Sequence, residues 1–378
     1  MLDFKKIIDI AYSSAIFVAS LAANNNESWL FGAQGGYSYS DNAKYFFEWI
    51  LDNHEQEQCF WVTKDKEIYK DLLSKELPVL YFYDIKNILS IAKAKYIVCT
   101  HSHTGNDIYK FINKSKVLIT LWHGIPLKKM GKASQRKYLN YLNIKNTPDL
   151  FLVTSVKDAE LFSELYHISI DKFFIGTYPR VNNLISRAED NNTILYAPTF
   201  RDGMGQDYYD KNIFPSTNEL ENLNEMLVKF DYHFLIKMHP YVDASFPSLT
   251  NYSNINIIPA FEDVQDALSK ASVLITDYSS IYFDYLNLDR EIIFFIPDYE
   301  WYYQESNRGL LYNYEDVTPG YKAKSWNEIQ NSLAEIFKGN KPSEFAESRS
   351  KILNMFFSKK NLNNDDLFNK CKSINYNN

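Results

Sequence analysis

The sequence predicts an α/β protein made of two Rossmann-like domains that face a central cleft. Short apolar runs with strand character alternate with segments of helical periodicity, and the 378 residues are enough for two complete cores. This alternation is typical of parallel sheets covered by helices on both faces. Ligands of such sheets bind beyond the carboxyl ends of the strands, so we expect polar residues at those ends to carry the function.

The first domain is predicted to span residues 1–178. Helices are expected at residues 4–22, 41–51, 65–76, 85–94 and 156–166, and strands at 27–31, 60–63, 79–82, 96–100, 117–122, 151–154 and 173–175. Gly32, Gly35 and Gly36 follow the first strand. They lack the G-x-G-x-x-G spacing of dinucleotide-binding loops, so a tight loop is the better interpretation.

The second domain is predicted to span residues 179–378, with the join near residues 176–182. Strands are expected at 193–196, 233–238, 255–258, 273–275 and 292–296, and helices at 219–230, 264–271, from 281 onwards, 326–337 and 343–357. Residues 198–215 are rich in Gly, Asp and Tyr and are predicted to form a loop. The tail from Asn361 is rich in Asn and Asp and is expected to be frayed.

A strand, a tight turn and a helix are predicted at residues 272–286. Ser279 and Ser280 stand at the N-cap and first turn of that helix. The first N–H groups of a helix have no internal partner and lie at the positive end of the helix dipole, so the turn is a candidate phosphate cradle. An ordinary N-cap that binds nothing is the alternative.

In the first domain, His123 follows a strand and stands between Trp122 and Gly124. A histidine at the end of a strand, with a pKa near neutral, suits a general base. A histidine that only hydrogen-bonds a loop remains the alternative. His101 and His103 end the preceding strand, but no carboxylate follows at useful spacing, so metal binding is disfavoured.

In the second domain, positively charged groups follow several strands. Lys237 and His239 end one strand, Arg201 follows another, and Arg308 follows the aromatic segment 299–303. Together with the two serines they are the groups expected around a pyrophosphate. Each one taken alone is more often a surface or structural residue.

Composition narrows the function classes. The net charge of −7 argues against nucleic-acid binding, and the three cysteines show no metal spacing and fit a reducing compartment.

The apolar run 15–23 is too short to span a bilayer, so we interpret residues 4–22 as an amphipathic helix, with a signal peptide as the alternative. Residues 128–142 combine five basic residues with Tyr and Leu, a pattern that fits either an anionic membrane surface or a solvated basic helix.

Six motifs occur in order and together resemble the CDP-glycerol glycerophosphotransferases of bacterial teichoic-acid and capsule synthesis. They read Gly-Gly-Tyr-Ser-Tyr-Ser-Asp-Asn at 35–42, Trp-His-Gly-x-Pro-Leu-Lys at 122–128, Tyr-Ala-Pro-Thr-x-Arg-Asp at 196–202, His-Pro at 239–240, Leu-Ile-Thr-Asp-Tyr-Ser-Ser at 274–280 with Phe-Asp at 283–284, and Arg-Gly at 308–309. The resemblance covers residues from about 29 to about 320. The segment Pro-Arg-Val-Asn at 179–182 departs from the family's Pro-Arg-Asn-Asp type.

The resemblance implies a GT-B architecture, with an N-terminal acceptor domain, a C-terminal CDP-donor domain and the active site between them. It also implies cytoplasmic enzymes held at the inner face of the cell membrane. His123 and His239 become the catalytic candidates. The substrate-binding candidates are Arg308, Ser279, Ser280, Thr276, Asp277, Lys237, Arg201, Thr199, Gly124 and Lys128.

The predicted reaction transfers glycerol phosphate from CDP-glycerol to a hydroxyl of a lipid-linked or polymeric acceptor and releases CMP. No cofactor is expected, although the carboxylates of Asp277 and Asp284 leave the binding of a divalent cation as an alternative. The alternatives are a ribitol-phosphate transferase that uses CDP-ribitol, a GT-B sugar transferase, and a non-catalytic module that binds an anionic glycopolymer. Fold cannot separate the enzymes, whereas a binding module has no need for both His123 and His239.

Overall fold

The computed structural model describes residues 4–101, 107–133, 147–189, 191–239, 242, 249, 252–259, 262–303, 309–358 and 363–374. The chain divides into two compact units, each built around one parallel β-sheet. The first unit takes in Met1–His123, Tyr141–Asn183 and Phe357–Asn378, and the second takes in Gly124–Asn140 and Leu184–Phe356. The sequence did not anticipate that the C-terminal residues belong with the first unit.

The first sheet has seven parallel strands in the order β3-β2-β1-β4-β5-β6-β7. They are β1 Asn26–Gly32, β2 Cys59–Thr63, β3 Val79–Tyr81, β4 Ala94–Cys99, β5 Val117–Thr120, β6 Leu150–Val153 and β7 Phe173–Ile175. The central strands are buried along most of their length, which agrees with their apolar, β-branched composition. The strand order reverses between β1 and β4, the position where open α/β sheets bind their ligands.

Seven helices accompany this sheet within the described residues. They are α1 Phe4–Ala22, α2 Asp41–Asn53, α3 Lys66–Ser74, α4 Ile88–Lys93, α5 Val156–Tyr166, α6 Pro179–Ser186 and α15 Asn364–Lys372. Capping residues fix several of their starts. The Asp65 side chain accepts hydrogen bonds from the N–H groups of Glu67 and Ile68, and Ser155 Oγ accepts from the N–H of Asp158.

α15 forms within the C-terminal tail, so the expectation of a frayed tail was wrong for residues 363–374. Asn363 and Asp366 form a reciprocal capping box that satisfies the first N–H groups of the helix. The ring of Phe368 stacks on His54 at 3.9 Å and on Trp29 at 5.5 Å between centroids. The Asn and Asp content of the tail suggested disorder, and the sequence does not show that the Phe368 ring packs on His54 and Trp29.

The second sheet has six parallel strands in the order β10-β9-β8-β11-β12-β13. They are β8 Thr193–Tyr196, β9 His233–Ile236, β10 Ile255–Ile257, β11 Ala271–Thr276, β12 Glu291–Phe295 and β13 Tyr321–Ala323. The order reverses between β8 and β11, so this sheet also has a switch point. Its core includes Ile194, Tyr196, Phe234 and Trp326.

Eight helices belong to the second unit in the described ranges. They are α7 Gln206–Asn212, α8 Thr217–Phe230, α9 Val264–Lys270, α10 Ile281–Tyr285, α11 Tyr299–Tyr303, α12 Tyr314–Val317, α13 Trp326–Phe337 and α14 Ser343–Phe356. The prediction of one loop over residues 198–215 was wrong, because α7 lies within it. Tyr209 on α7 is fully buried and its hydroxyl accepts a hydrogen bond from the N–H of Arg201, which gives this short helix its tertiary support.

The predicted parallel α/β organisation is confirmed, and every predicted strand has an observed counterpart. The sequence missed β13 and the short helices α6, α7, α11 and α12, whose periodicity is too brief to recognise. No helix in the described part of the chain is both long enough and apolar enough to cross a membrane.

Candidate active site

His123 lies three residues beyond β5 in a tightly constrained turn. Trp122, directly before it, has φ +54°, and Gly124, directly after it, has φ +126°. A bulky residue with positive φ stores strain and persists only where its surroundings hold it. The Trp122 ring is held by Phe151 and Phe162, at 5.4 and 5.1 Å between centroids, so the turn fixes the direction in which His123 projects.

The contacts of His123 decide which nitrogen can accept a proton. Its Nδ1 lies 3.4 Å from the carbonyl oxygen of Thr100. A carbonyl can only accept, so Nδ1 carries the hydrogen in the neutral ring and Nε2 keeps its lone pair. Burial and then the neighbouring His101 lower the pKa of His123 to about 3, against the opposing charge of Asp41. His123 is therefore a neutral imidazole with a proton-accepting Nε2 at physiological pH, and the expectation of a near-neutral pKa was wrong because the ring is buried beside His101.

Two charged residues that were not among the predicted site residues lie beside the histidines. The rings of His101 and His123 stack in parallel with 4.8 Å between centroids, and His101 Nε2 is 3.6 Å from Asp41 Oδ2. Asp41 Oδ1 accepts from Arg180 Nη1 at 2.5 Å. Burial favours the protonated form of Asp41, but Arg180, the two histidines and the N–H of Asn42 together outweigh it and hold the pKa of Asp41 below its usual range.

Asn42 ties these groups to the turn that carries His123. Its side-chain amide donates to the carbonyl of Trp122 at 2.8 Å and accepts from the N–H of Arg180 at 3.2 Å. Asp41 and Asn42 close the motif 35–42, and Arg180 lies in the segment 179–182. Both segments were compared with the family motifs in the sequence, so each was recognisable on its own. The sequence did not show that Asp41 and Arg180, which are 139 positions apart, form an ion pair.

In the second unit, the ends of β8 and β11 meet at the switch point. Thr276 Oγ1 donates to the carbonyl of Ala197 at 2.8 Å, and both oxygens of Asp277 accept from the N–H of Thr199 at 2.9 and 3.0 Å. Thr276 and Asp277 are almost completely buried. The hydroxyl of Thr199 is buried and has no partner among the described residues.

Arg201 lies at the centre of a buried ion-pair network. Its Nε and Nη2 donate to the two carboxylate oxygens of Asp298 at 2.8 and 3.0 Å, and its Nη1 donates to Asp277 at 2.5 Å. Burial disfavours the charged guanidinium, but the two carboxylates raise the pKa of Arg201 far above its usual value. Tyr208 and Tyr278 also donate to Asp298. The hydrogen-bonding groups of Arg201 are thus engaged by Asp298, Asp277 and the Thr199 carbonyl. The predicted contact of Arg201 and Asp277 with substrate stays a prediction.

Ser279 and Ser280 are half-buried in the turn after β11. Ser279 Oγ accepts from the N–H of Ile281 at 3.3 Å, while Ser280 makes no side-chain cap. The helix that follows, α10, has only five residues. Its dipole is therefore small, so any phosphate binding here depends mainly on the hydroxyl and backbone N–H groups.

Three other predicted site residues, Lys237, His239 and Lys128, make contacts of their own. Lys237 Nζ donates to the carbonyl of Pro259 at 2.6 Å, and burial lowers its pKa. His239 is exposed and stacks on Phe200 at 5.8 Å between centroids. Lys128 Nζ lies 5.8 Å from the ring centre of Tyr302, which in turn stacks on Tyr278.

Some predicted features fall outside what the structure describes. Arg308, His103 and the part of the basic segment beyond residue 133 lie outside the described residues. Gly309, next to Arg308 in the sequence, accepts through its carbonyl from the N–H of Lys129 at 3.2 Å. Within the described ranges no group of three His, Cys, Asp or Glu side chains is placed to hold a metal ion. Asp284 lies instead near Gln265, whose Nε2 donates to it at 3.4 Å.

Comparison with known proteins gives a consistent result. The family model described as CDP-Glycerol:Poly(glycerophosphate) glycerophosphotransferase matches residues 14–365. The teichoic acid poly(glycerol phosphate) polymerase of Bacillus subtilis (strain 168) is 25% identical over 88% of this chain, and the match takes in 47% of that polymerase. This chain therefore spans about half the length of that relative.

Two further similarities extend over almost the whole chain. The teichoic acid glycerol-phosphate transferase of Staphylococcus aureus (strain NCTC 8325 / PS 47) is 26% identical, with 94% of each chain covered. The solved structure of the wall teichoic acid polymerase TagF aligns with a TM-score of 0.76 at 21% identity and covers 97% of this chain and 96% of its own. The fold is thus α/β and GT-B-like.

Proposed function

The chain belongs to the CDP-glycerol:poly(glycerophosphate) glycerophosphotransferase family, and from this premise we propose how it works. It transfers glycerol phosphate from CDP-glycerol to a hydroxyl of a lipid-linked or polymeric acceptor in teichoic-acid or capsule polymer synthesis. The acceptor oxygen bonds to the β-phosphorus, the bond from that phosphorus to the bridging oxygen breaks, and CMP leaves with the electron pair. The acceptor proton passes to a base.

His123 is that base in this proposal. Its Nδ1–H is directed to the Thr100 carbonyl, so Nε2 is the atom that takes the hydroxyl proton. Burial, His101 and Arg180 disfavour the imidazolium that forms, whereas the charge of Asp41 stabilises it. The proposal depends mainly on one observation, the hydrogen bond that leaves His123 Nε2 as the proton-accepting nitrogen in a chain of this family.

On the donor side, the proposed phosphate ligands are His239, Arg308, Ser279 and Ser280, with Lys237 and Lys128 as further cationic groups. Thr199, Thr276, Asp277 and Arg201 hold the ends of β8 and β11 in register, so we assign them to positioning these ligands. Most of the rate enhancement then comes from orientation and electrostatic stabilisation of the phosphoryl oxygens. We propose a cytoplasmic enzyme, peripheral on the inner membrane face, with no required cofactor.

The experiment measures CMP release. The purified protein is incubated with a lipid-linked glycerol-phosphate primer and, in parallel, with CDP-glycerol, CDP-ribitol or a UDP-sugar. We expect CMP and primer extension from CDP-glycerol, loss of both in His123→Ala, and retention in His233→Ala, the substitution of an exposed histidine on β9. CMP from CDP-ribitol alone would indicate the ribitol enzyme. Binding of the polymer with no turnover of any donor would indicate a glycopolymer-binding module.

A further inference from the structure

Asp107 joins the ends of the two central strands of the first sheet. The residue is 2% exposed. Its Oδ1 accepts a hydrogen bond from the N–H of Gly35 at 2.8 Å, and its Oδ2 accepts from the N–H groups of Thr100 and His101 at 2.9 and 2.6 Å. Gly35 lies in the loop after β1, and Thr100 and His101 directly follow β4. One buried carboxylate therefore connects two strand ends at the switch point of the sheet.

The N–H groups that bind Asp107 resemble those that bind phosphate in nucleotide-binding α/β folds, where a glycine-rich loop follows the first strand. The backbone of Asp107 also lies close to this loop. A Cβ atom at Gly32 would lie 2.8 Å from the Asp107 carbonyl oxygen, and one at Gly36 would lie 3.3 Å from it. These glycines therefore make room for Asp107, and the N–H of Gly35 is engaged by a carboxylate of the chain itself.

The strand end that Asp107 holds is the one that orients His123. The carbonyl of Thr100 and the N–H of His101 belong to one planar trans peptide group, so they point in opposite directions. Asp107 accepts from the N–H, and His123 Nδ1 lies 3.4 Å from the carbonyl oxygen. A second bond fixes the same residue, because Thr100 Oγ1 accepts from the N–H of Ala43 at 3.0 Å. The position of Asp107 thus sets the direction of the carbonyl that selects the tautomer of His123.

We propose that Asp107 is a positioning residue for the transfer reaction. By holding the peptide group between Thr100 and His101, it keeps the hydrogen of His123 on Nδ1 and leaves the Nε2 lone pair for the acceptor hydroxyl. A carboxylate that accepts from a peptide N–H also polarises that peptide group, so it strengthens the Thr100 carbonyl as an acceptor. The inference rests on the proposed function, in which His123 is the base, and adds the residue that orients this base.

The test compares Asp107→Asn in two backgrounds, the parent chain and His123→Ala. Asparagine has one accepting oxygen and an NH₂ group, so it can serve at most two of the three N–H groups and carries no charge. We expect kcat for CMP release to fall about tenfold in the parent background, because neutral hydrogen bonds hold the peptide group more weakly. The KM for CDP-glycerol should stay unchanged. In the His123→Ala background we expect no further fall, because Asp107 acts through His123.

Asp149→Asn is the matched control. Asp149 Oδ2 accepts from the N–H of Leu118 at 2.9 Å, near the start of β5, the strand that leads to His123. This variant also weakens a bond between a carboxylate and the backbone of the first unit, but at the other end of the strand, so kcat should match the parent.

A spectroscopic measurement is independent of turnover. Nitrogen-15 NMR of the full chain with labelled histidines distinguishes the two imidazole tautomers, and His123→Ala assigns the signals of His123. We expect the Nδ1–H tautomer in the parent and in Asp149→Asn, and a mixture of both tautomers in Asp107→Asn.

Two results would overturn the proposal. One is an unchanged kcat and tautomer in Asp107→Asn, and the other is an equal proportional fall of kcat in both backgrounds, which would indicate a role in the fold alone. If Asp107→Asn does not fold, Asp107→Ser is measured in the same way, since its hydroxyl still accepts from one N–H group. If the parent releases no CMP, the proposed function fails, while the tautomer of His123 still shows whether Asp107 positions the ring.

Discussion

Replacing Arg201 by Lys separates a positioning role from direct contact with substrate. The guanidinium makes two parallel bonds to Asp298, one to Asp277 and one to the carbonyl of Thr199 at 2.6 Å, all in a buried environment. A lysine ammonium keeps the charge but lacks the planar fork, so it can satisfy one carboxylate and must abandon at least two charged hydrogen bonds. At about 1.5–3 kcal/mol for each bond, the loss is about 3–6 kcal/mol.

The assay is calorimetric unfolding of the full chain, read at the transition of the second unit. For a unit of this size each kcal/mol shifts Tm by about 2–4 °C, so Arg201→Lys should lower that transition by roughly 6–24 °C. Arg187→Lys is the matched control. Arg187 pairs with Asp266 at 2.8 Å, but both side chains are more than half exposed, and such pairs contribute about 0–1 kcal/mol.

Donor binding completes the comparison. CDP-glycerol affinity is measured by titration calorimetry below the melting range of each variant. If Arg201→Lys melts with the parent and yet no longer binds CDP-glycerol, Arg201 contacts the phosphates directly and the positioning role is refuted.

Four further predictions concern single residues. His123→Ala should lower turnover roughly 10²–10⁴-fold with donor affinity unchanged. Because the pKa of His123 is about 3, this base stays unprotonated when the pH is lowered through 6.5. We therefore expect kcat/KM of the parent to show no decrease with an apparent pKa near 6.5, and such a decrease would contradict the assignment of His123 as the base. Asp41→Asn removes the charge that favours the imidazolium, so turnover should fall about tenfold, which corresponds to about 1.4 kcal/mol on the barrier, while an unchanged rate would exclude Asp41 from the mechanism. Burial raises the pKa of Asp158 to about 6 from 3.8, so its charged form destabilises the fold above pH 6 and not below pH 4. Asp158→Asn should therefore raise the free energy of unfolding by about 2–3 kcal/mol at pH 8 and leave it unchanged at pH 4, and equal effects at both pH values would contradict this. His239→Ala should weaken CDP-glycerol binding by about 1.5–3 kcal/mol with Tm unchanged, since His239 is exposed, and a lowered Tm would indicate a structural role.

The sequence by itself determined the features that depend on local pattern. Apolar runs and helical periodicity predicted the parallel α/β organisation, because a buried strand or helix face requires apolar residues at regular spacing along the sequence. Six motifs in order predicted the family. The position of His123 after a strand, between Trp122 and Gly124, marked it as a candidate base.

Only the tertiary structure decided which distant residues meet. Asp41 and Arg180 are 139 positions apart, and Arg201 and Asp298 are 97 apart, yet each pair shares charged hydrogen bonds. Periodicity predicts that a residue is buried but not which partner it is buried against, so the two carboxylates that pair with Arg201 could not be identified from the sequence. The same holds for α1. The apolar run 15–23 predicts a helix face turned to the core, yet Asp9 pairs inward with Lys64 and Lys110 while Val18 and Leu21 are exposed.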